Sequence, residues 1–125
     1  MPRILVVDDD PAIRVMLTDA LGVEGWVVDS AEHGVAALAK VHQARPDVIL
    51  LDLMMPVMDG WETVERLRHE GYDDIPVIVL TAAPMLSRIQ RQFPHSPVIG
   101  KPFDLPHLVA AVQEALEARR QPPHR

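Results

Sequence analysis

Five residues of this chain have the types and settings to do chemistry together: Asp8, Asp9, Asp52, Thr81 and Lys101. Each acid, hydroxyl or ammonium follows closely on a short apolar run: Ile4 to Val7, Val48 to Leu51, Val77 to Leu80, and Val98 to Gly100. Two carboxylates about 4 Å apart repel by about 4 kcal/mol at an effective dielectric near 20, so three of them in one place need protonation or a cation. Donors that are all oxygen select a hard cation, and a shallow site completed by water and phosphate oxygens suits Mg²⁺ better than Ca²⁺. Lys101 supplies a movable positive charge and Thr81 a hydroxyl donor, both suited to phosphoryl oxygens. With repulsion screened, Asp52 is placed to attack phosphorus as a carboxylate nucleophile and become an aspartyl phosphate.

That chemistry requires the five to meet, and the surrounding elements decide whether they do. Val48-Ile49-Leu50-Leu51 is too short for a helix with one apolar face and reads as a central strand buried on both sides, with Asp52 at its carboxyl end and Pro56, Asp59 and Gly60 in the loop beyond. Arg3 to Val7, Trp26 to Asp29, Pro76 to Leu80 and Pro97 to Gly100 read as four further strands. Between them, helical spacing runs from Pro11 to about Val23 through Ile13, Met16, Leu17, Ala20 and Leu21. A second helix spans Gly34 to Ala44, with Val35, Leu38, Ala39 and Val41 on one side and Pro46 beyond its end. A third runs from Asp59 to Gly71, a short fourth from Pro84 to Phe93, and the last follows Asp104 with Leu105, Leu108, Val109, Val112 and Leu116 as its stripe. Asp10 before Pro11 and Asp59 before Glu62 are N-cap acids, and Arg119 and Arg120 suit the last helix's carboxyl end. Strict alternation of strand and helix implies a doubly wound parallel sheet of five strands with helices on both faces. Strands one, three, four and five then end along one edge, where open α/β sheets bind ligands. Taken singly, Thr81 is an ordinary strand-end hydroxyl and Lys101 a solvated lysine; their arrival at separate strand ends of one edge is what favours a site.

Bulk composition narrows the rest. A chain of 125 residues, 48% hydrophobic and 24% charged, is the size and make-up of one globular domain. Twelve Lys and Arg against eighteen Asp and Glu leave a net charge of −6, which argues against direct nucleic-acid binding by this domain. The chain has no cysteine, which excludes disulfides and thiolate chemistry, and its six histidines show no ligand-like spacing. No run has the length of a membrane span or of a signal peptide, so the expected location is cytoplasmic, without membrane contact.

Together V-V-D-D-D-P, L-L-D-L-M-M-P-V-M-D-G, V-L-T-A and K-P-F, in that order over nearly the whole chain, closely resemble the receiver domain of two-component response regulators. The resemblance implies a flavodoxin-like (receiver) architecture with strand order 2-1-3-4-5 and five flanking helices, the domain occupying residues 1–120 and residues 121–125 forming a polar tail or the start of a linker. It implies that Asp52 is the phosphoacceptor, charged from a phosphohistidine on a sensor histidine kinase or histidine phosphotransfer protein. Asp9 resembles the direct metal ligand, Asp8 its water-mediated neighbour, and the backbone carbonyl of Met54 the third protein ligand beside Asp52, with Mg²⁺ as the ion. Thr81 and Lys101 correspond to the residues that engage the phosphoryl group, and Pro102 to the proline whose preceding peptide bond is cis in the family. A downstream effector would read the surface of helix four, strand five and helix five, and phosphorylation-dependent dimerisation is compatible with that surface. The protein would be a phosphoprotein of signal transduction, assisting only its own phosphorylation and dephosphorylation rather than acting as an enzyme on a dedicated substrate.

The match departs at one side. Receivers usually carry Tyr or Phe three residues before the lysine, and Val98 stands there instead, after Phe93-Pro94-His95-Ser96-Pro97 in place of the family's usual turn. Output is therefore expected to work through repacking of helix four or local ordering rather than an aromatic rotamer. Met54 and Ala83 are expected to flank the site with apolar side chains, Met54, Met55 and Met58 to pack the loop on helix three, and Trp61 to be a packing residue near Asp52. Two alternatives stay open: a phosphorylation-independent receiver-like adaptor, and an Asp-nucleophile phosphatase of the haloacid dehalogenase type. The latter wants a second acid two residues after the nucleophile, where Met54 stands.

Overall fold

Short β-branched and Leu-rich runs form the strands, and the helices between them return the chain across the sheet. The computed structural model of the chain describes residues 1–120; the expected tail at residues 121–125 and the side chains of Arg119 and Arg120 lie outside the described residues. The elements are β1 (Arg3–Val7), α1 (Pro11–Gly22), β2 (Val27–Ala31), α2 (Gly34–Gln43), β3 (Val48–Asp52), α3 (Gly60–His69), β4 (Val77–Ala82), a 3₁₀ turn (Ala83–Met85), α4 (Leu86–Gln92), β5 (Val98–Lys101) and α5 (Leu105–Arg120). All pairings are parallel and the order is β2-β1-β3-β4-β5, the doubly wound arrangement expected.

Period-two alternation divides the core into faces. Ile4 and Val6 of β1, with Val48 and Leu50 of β3, meet Leu17 and Leu21 of α1 and Leu108, Val112 and Leu116 of α5. Leu5, Val7, Ile49 and Leu51 point the other way, against Ala37, Leu38 and Val41 of α2 and Leu67 of α3. A third, smaller cluster joins Leu53, Val79 and Ile89 of α4, with Phe93 and Val98 packed on it. Every residue of β3 is buried, as its unbroken apolar run requires of a central strand.

Helix starts follow their caps. Asp10 accepts from Ala12 N–H at 2.9 Å with Pro11 at the first helical position, and Asp59 accepts from Glu62 N–H at 2.9 Å. The α2 cap is His33, whose Nδ1 accepts from Ala36 N–H at 3.1 Å.

Several expected boundaries and faces shift. β2 begins at Val27 and runs on through Ser30 and Ala31, which pair with Val6 and Val7, while Trp26 packs on the α1–α5 side. As an edge strand, β2 tolerates the polar Asp29 and Ser30. In α2 the buried stripe is Gly34, Ala37, Leu38 and Val41, so Val35 and Ala39 face solvent; Met16 of α1 is likewise exposed. β4 continues past Leu80 through Thr81 to Ala82, and β5 runs through Lys101, because Thr81 and Ala82 pair with Gly100 and Lys101. The fourth helix is shorter than expected: Pro84 sits in the 3₁₀ turn and α4 proper begins at Leu86.

Candidate functional site

The β1–α1 loop, the end of β3, the end of β4 and the end of β5 bring Asp8, Asp9, Asp52, Thr81 and Lys101 to one sheet edge. Carboxylate oxygens of Asp8, Asp9 and Asp52 lie within 4.8 Å of one another. Asp8 is fully buried, Asp52 and Thr81 are buried, and Asp9 is exposed. Lys101 reaches across from β5, its Nζ 2.7 Å from Asp8 Oδ2 and 3.4 Å from Asp52 Oδ2. Asp8 Oδ1 accepts from Asp10 N–H at 2.9 Å, so both oxygens of Asp8 are engaged by protein donors. Asp52 Oδ1 accepts from Met54 N–H at 3.2 Å.

Burial, followed by the charge of Asp8, raises the pKa of Asp52 to about 6, against the lowering pull of Lys101 and the Met54 amide. Burial works against the Lys101 ammonium, but its hydrogen bond to Asp8 and the charges of Asp52 and Asp8 outweigh that and hold its pKa above the ordinary value. The acids therefore sit under electrostatic tension that one internal cation only partly relieves. This oxygen-only donor set, open at Asp9, fits a hard divalent ion, with Asp9 and Asp52 offering carboxylate oxygens.

The loop after β3 is shaped by two close approaches. A Cβ on Gly60 would lie 2.6 Å from Leu53 Cα and 2.9 Å from the Asp52 carbonyl oxygen, so only glycine lets α3 begin against the strand end, where Gly60 N–H donates to Leu53 O at 2.9 Å. Between them Met58 N–H donates back to Pro56 O at 2.7 Å across Val57, whose φ is +69°. That three-residue turn is strained for a β-branched residue.

Other expectations meet mixed outcomes. The Lys101–Pro102 peptide is cis. Val98 is half-buried at the start of β5, paired with Val79 and packed in the small cluster that contains Ile89. Met58 is buried and Met55 packs beside it, but Met54 is 67% exposed: its amide is engaged by Asp52 while its side chain stays in solvent. Ala83 is also exposed. Trp61 is not a core packing residue; it lies on the surface and its Nε1 donates to Gln92 Oε1 at 2.8 Å, tying the start of α3 to the end of α4. Arg14 was not among the sequence candidates, yet its Nη1 donates to the Asp8 carbonyl oxygen at 2.7 Å. Its place in the second turn of α1, four residues after the cap, is the only sequence sign of that reach.

The family model for the response regulator receiver domain matches residues 4–113. The DNA-binding dual master transcriptional regulator RpaA of Synechocystis is 40% identical over 119 residues, covering 93% of this chain and 49% of that protein. Response regulator MprA of Mycobacterium leprae is 42% identical over 122 residues, covering 96% of this chain and 53% of its own. The chain thus spans about half the length of these relatives. Among solved structures, chemotaxis protein CheY4 of Vibrio cholerae matches with a TM-score of 0.82 at 35% identity over 93% of this chain and 99% of that one. The receiver domain of the Francisella response regulator 1452 matches with a TM-score of 0.86 at 29% identity, covering 96% and 100%. Among the described residues, no helix is long and apolar enough to cross a membrane.

Proposed function

Given that the chain belongs to the response regulator receiver domains of two-component signalling, we propose that it is a phosphoacceptor switch in which Asp52 receives a phosphoryl group from a phosphohistidine. The observation that carries this reading is the setting of Asp52: buried at the tip of β3, one oxygen on the Met54 amide, the other 3.4 Å from Lys101 Nζ, with the oxygens of Asp8 and Asp9 within 4.8 Å.

In the transfer, a carboxylate oxygen of Asp52 forms the new O–P bond as the N–P bond of the donor imidazole breaks, and the imidazole nitrogen keeps the electron pair and takes up a proton. When bound, Mg²⁺ supplies the charge that neutralises the acid cluster and the phosphoryl oxygens. Asp9 and Asp52 would hold it directly, with the Met54 carbonyl as the third protein ligand. Asp8, both of whose oxygens already accept protein hydrogen bonds, would act through water. Lys101 pairs with a phosphoryl oxygen in place of its present contact with Asp52, and the Thr81 hydroxyl donates to another.

A sensor histidine kinase or histidine phosphotransfer protein is the donor, and an effector reads the α4–β5–α5 face. Because Val98 takes the aromatic position, output runs through α4: Leu53, the residue after Asp52, shares a cluster with Ile89 and Val98. Beryllofluoride titration with and without Mg²⁺ tests the reading. Saturable, Mg²⁺-dependent binding, lost in Asp52→Asn, is expected, with amide shifts spreading through residues 84–98. A folded protein that binds no beryllofluoride would leave the phosphate-independent adaptor in its place.

A further inference from the structure

The main chain of Asp8 is held at both ends. Its N–H donates to Ala31 O at 3.1 Å, and its carbonyl oxygen accepts from Arg14 Nη1 at 2.7 Å. The carbonyl belongs to the planar peptide that joins Asp8 to Asp9, so whatever fixes it fixes the plane from which Asp9 departs. Arg14 is half-buried, and among the described residues it makes no ion pair, although three consecutive acids begin six residues before it. Its guanidinium is spent on a neutral carbonyl. The Asp9 carboxylate, one of the three that converge, accepts no hydrogen bond from the described residues.

We propose that Arg14 is a positioning residue for the divalent cation: by clamping the Asp8–Asp9 peptide it aims the Asp9 carboxylate into the cluster, and by bonding a carbonyl it leaves that carboxylate free to ligate. The inference rests on the phosphoacceptor reading, which supplies the cation. It also makes a prediction opposite in sign to simple electrostatics. A cation near a Mg²⁺ site repels the ion, so removing it should tighten binding; removing a group that orients a ligand should weaken it.

Calorimetric Mg²⁺ titration of the full chain, native and R14Q, with thermal melts in EDTA to establish that both are folded, separates these outcomes. About tenfold weaker Mg²⁺ binding in R14Q is expected, the low end of what loss of a ligand-orienting partner costs. R14K, which keeps a donor and the charge, is expected to recover part of the loss, and it stands in for R14Q should that variant fail to fold. Native protein that binds no Mg²⁺ defeats the phosphoacceptor reading itself. Native binding with unchanged or tighter binding in R14Q overturns the role of Arg14 alone.

Discussion

Gly60 rests against Leu53 so closely that a methyl group on its Cα would meet the Leu53 Cα at 2.6 Å. The contact seats the first turn of α3 on the residue that follows the phosphoacceptor candidate. Since two of the three opposing atoms, Leu53 Cα and the Asp52 carbonyl oxygen, are backbone, they cannot swing aside as a side-chain tip would. Gly60→Ala is expected to cost about 2–3 kcal/mol by urea unfolding, in the range of overpacked sites. A loss within the scatter of ordinary surface substitutions would show that the loop yields.

Asp52 makes stability depend on pH in a defined direction. Its pKa is about 6 in the folded protein against an ordinary 3.8, so between those values the folded state holds the proton more tightly than the unfolded one. The contribution is fully present below the unfolded value and is lost as pH rises through the folded one. In metal-free buffer, Asp52→Asn is expected to be more stable than the native chain at pH 8, by about 1–3 kcal/mol. The advantage disappears near pH 4. Denaturant midpoints of the two proteins across that range measure it.

Lys101 carries the counter-charge of a fully buried acid, Asp8. Lys101→Met in EDTA is expected to lose about 2–3 kcal/mol, because an unpaired buried carboxylate remains behind. Added Mg²⁺ should return more stability to the variant than to the native chain. Equal stabilisation of both would separate the lysine from the metal cluster.

Val57 holds a positive φ in an exposed turn. Val57→Gly is expected to gain about 1 kcal/mol, since glycine removes the steric conflict at modest entropic cost. Thermal melts decide it, and a loss would mean that the valine side chain contributes packing.

Much of this architecture was legible because long-range position followed from local pattern. Four consecutive apolar residues before Asp52, too few for a helix and followed by turn residues, read as a doubly buried strand, and Asp10 and Asp59 announce the helices they cap. The faces of α1 and α2 were harder to assign. Both helices carry apolar residues on more than one side, and Met16 and Val35 fit a helical stripe as well as the residues that are buried. The convergence of the five candidate residues was legible as a set, since each stands at or next to a strand end. Arg14 and the Trp61–Gln92 bond were not, because a long side chain's partner depends on tertiary geometry rather than spacing, and His33 was not because histidine is outside the usual N-cap residues. The exposure of Met54 was missed for a related reason: a loop residue's side chain follows the turn, not its hydrophobicity.

α4 is attached to the sheet through its own small cluster, built on Leu53, Val79 and Ile89, apart from the two larger cores. A segment anchored at so few points can exchange its remaining surface residues with little consequence for the rest of the molecule. On the proposed reading, an effector-facing surface can therefore change through residues 84–97 while the edge that carries Asp52 stays as it is.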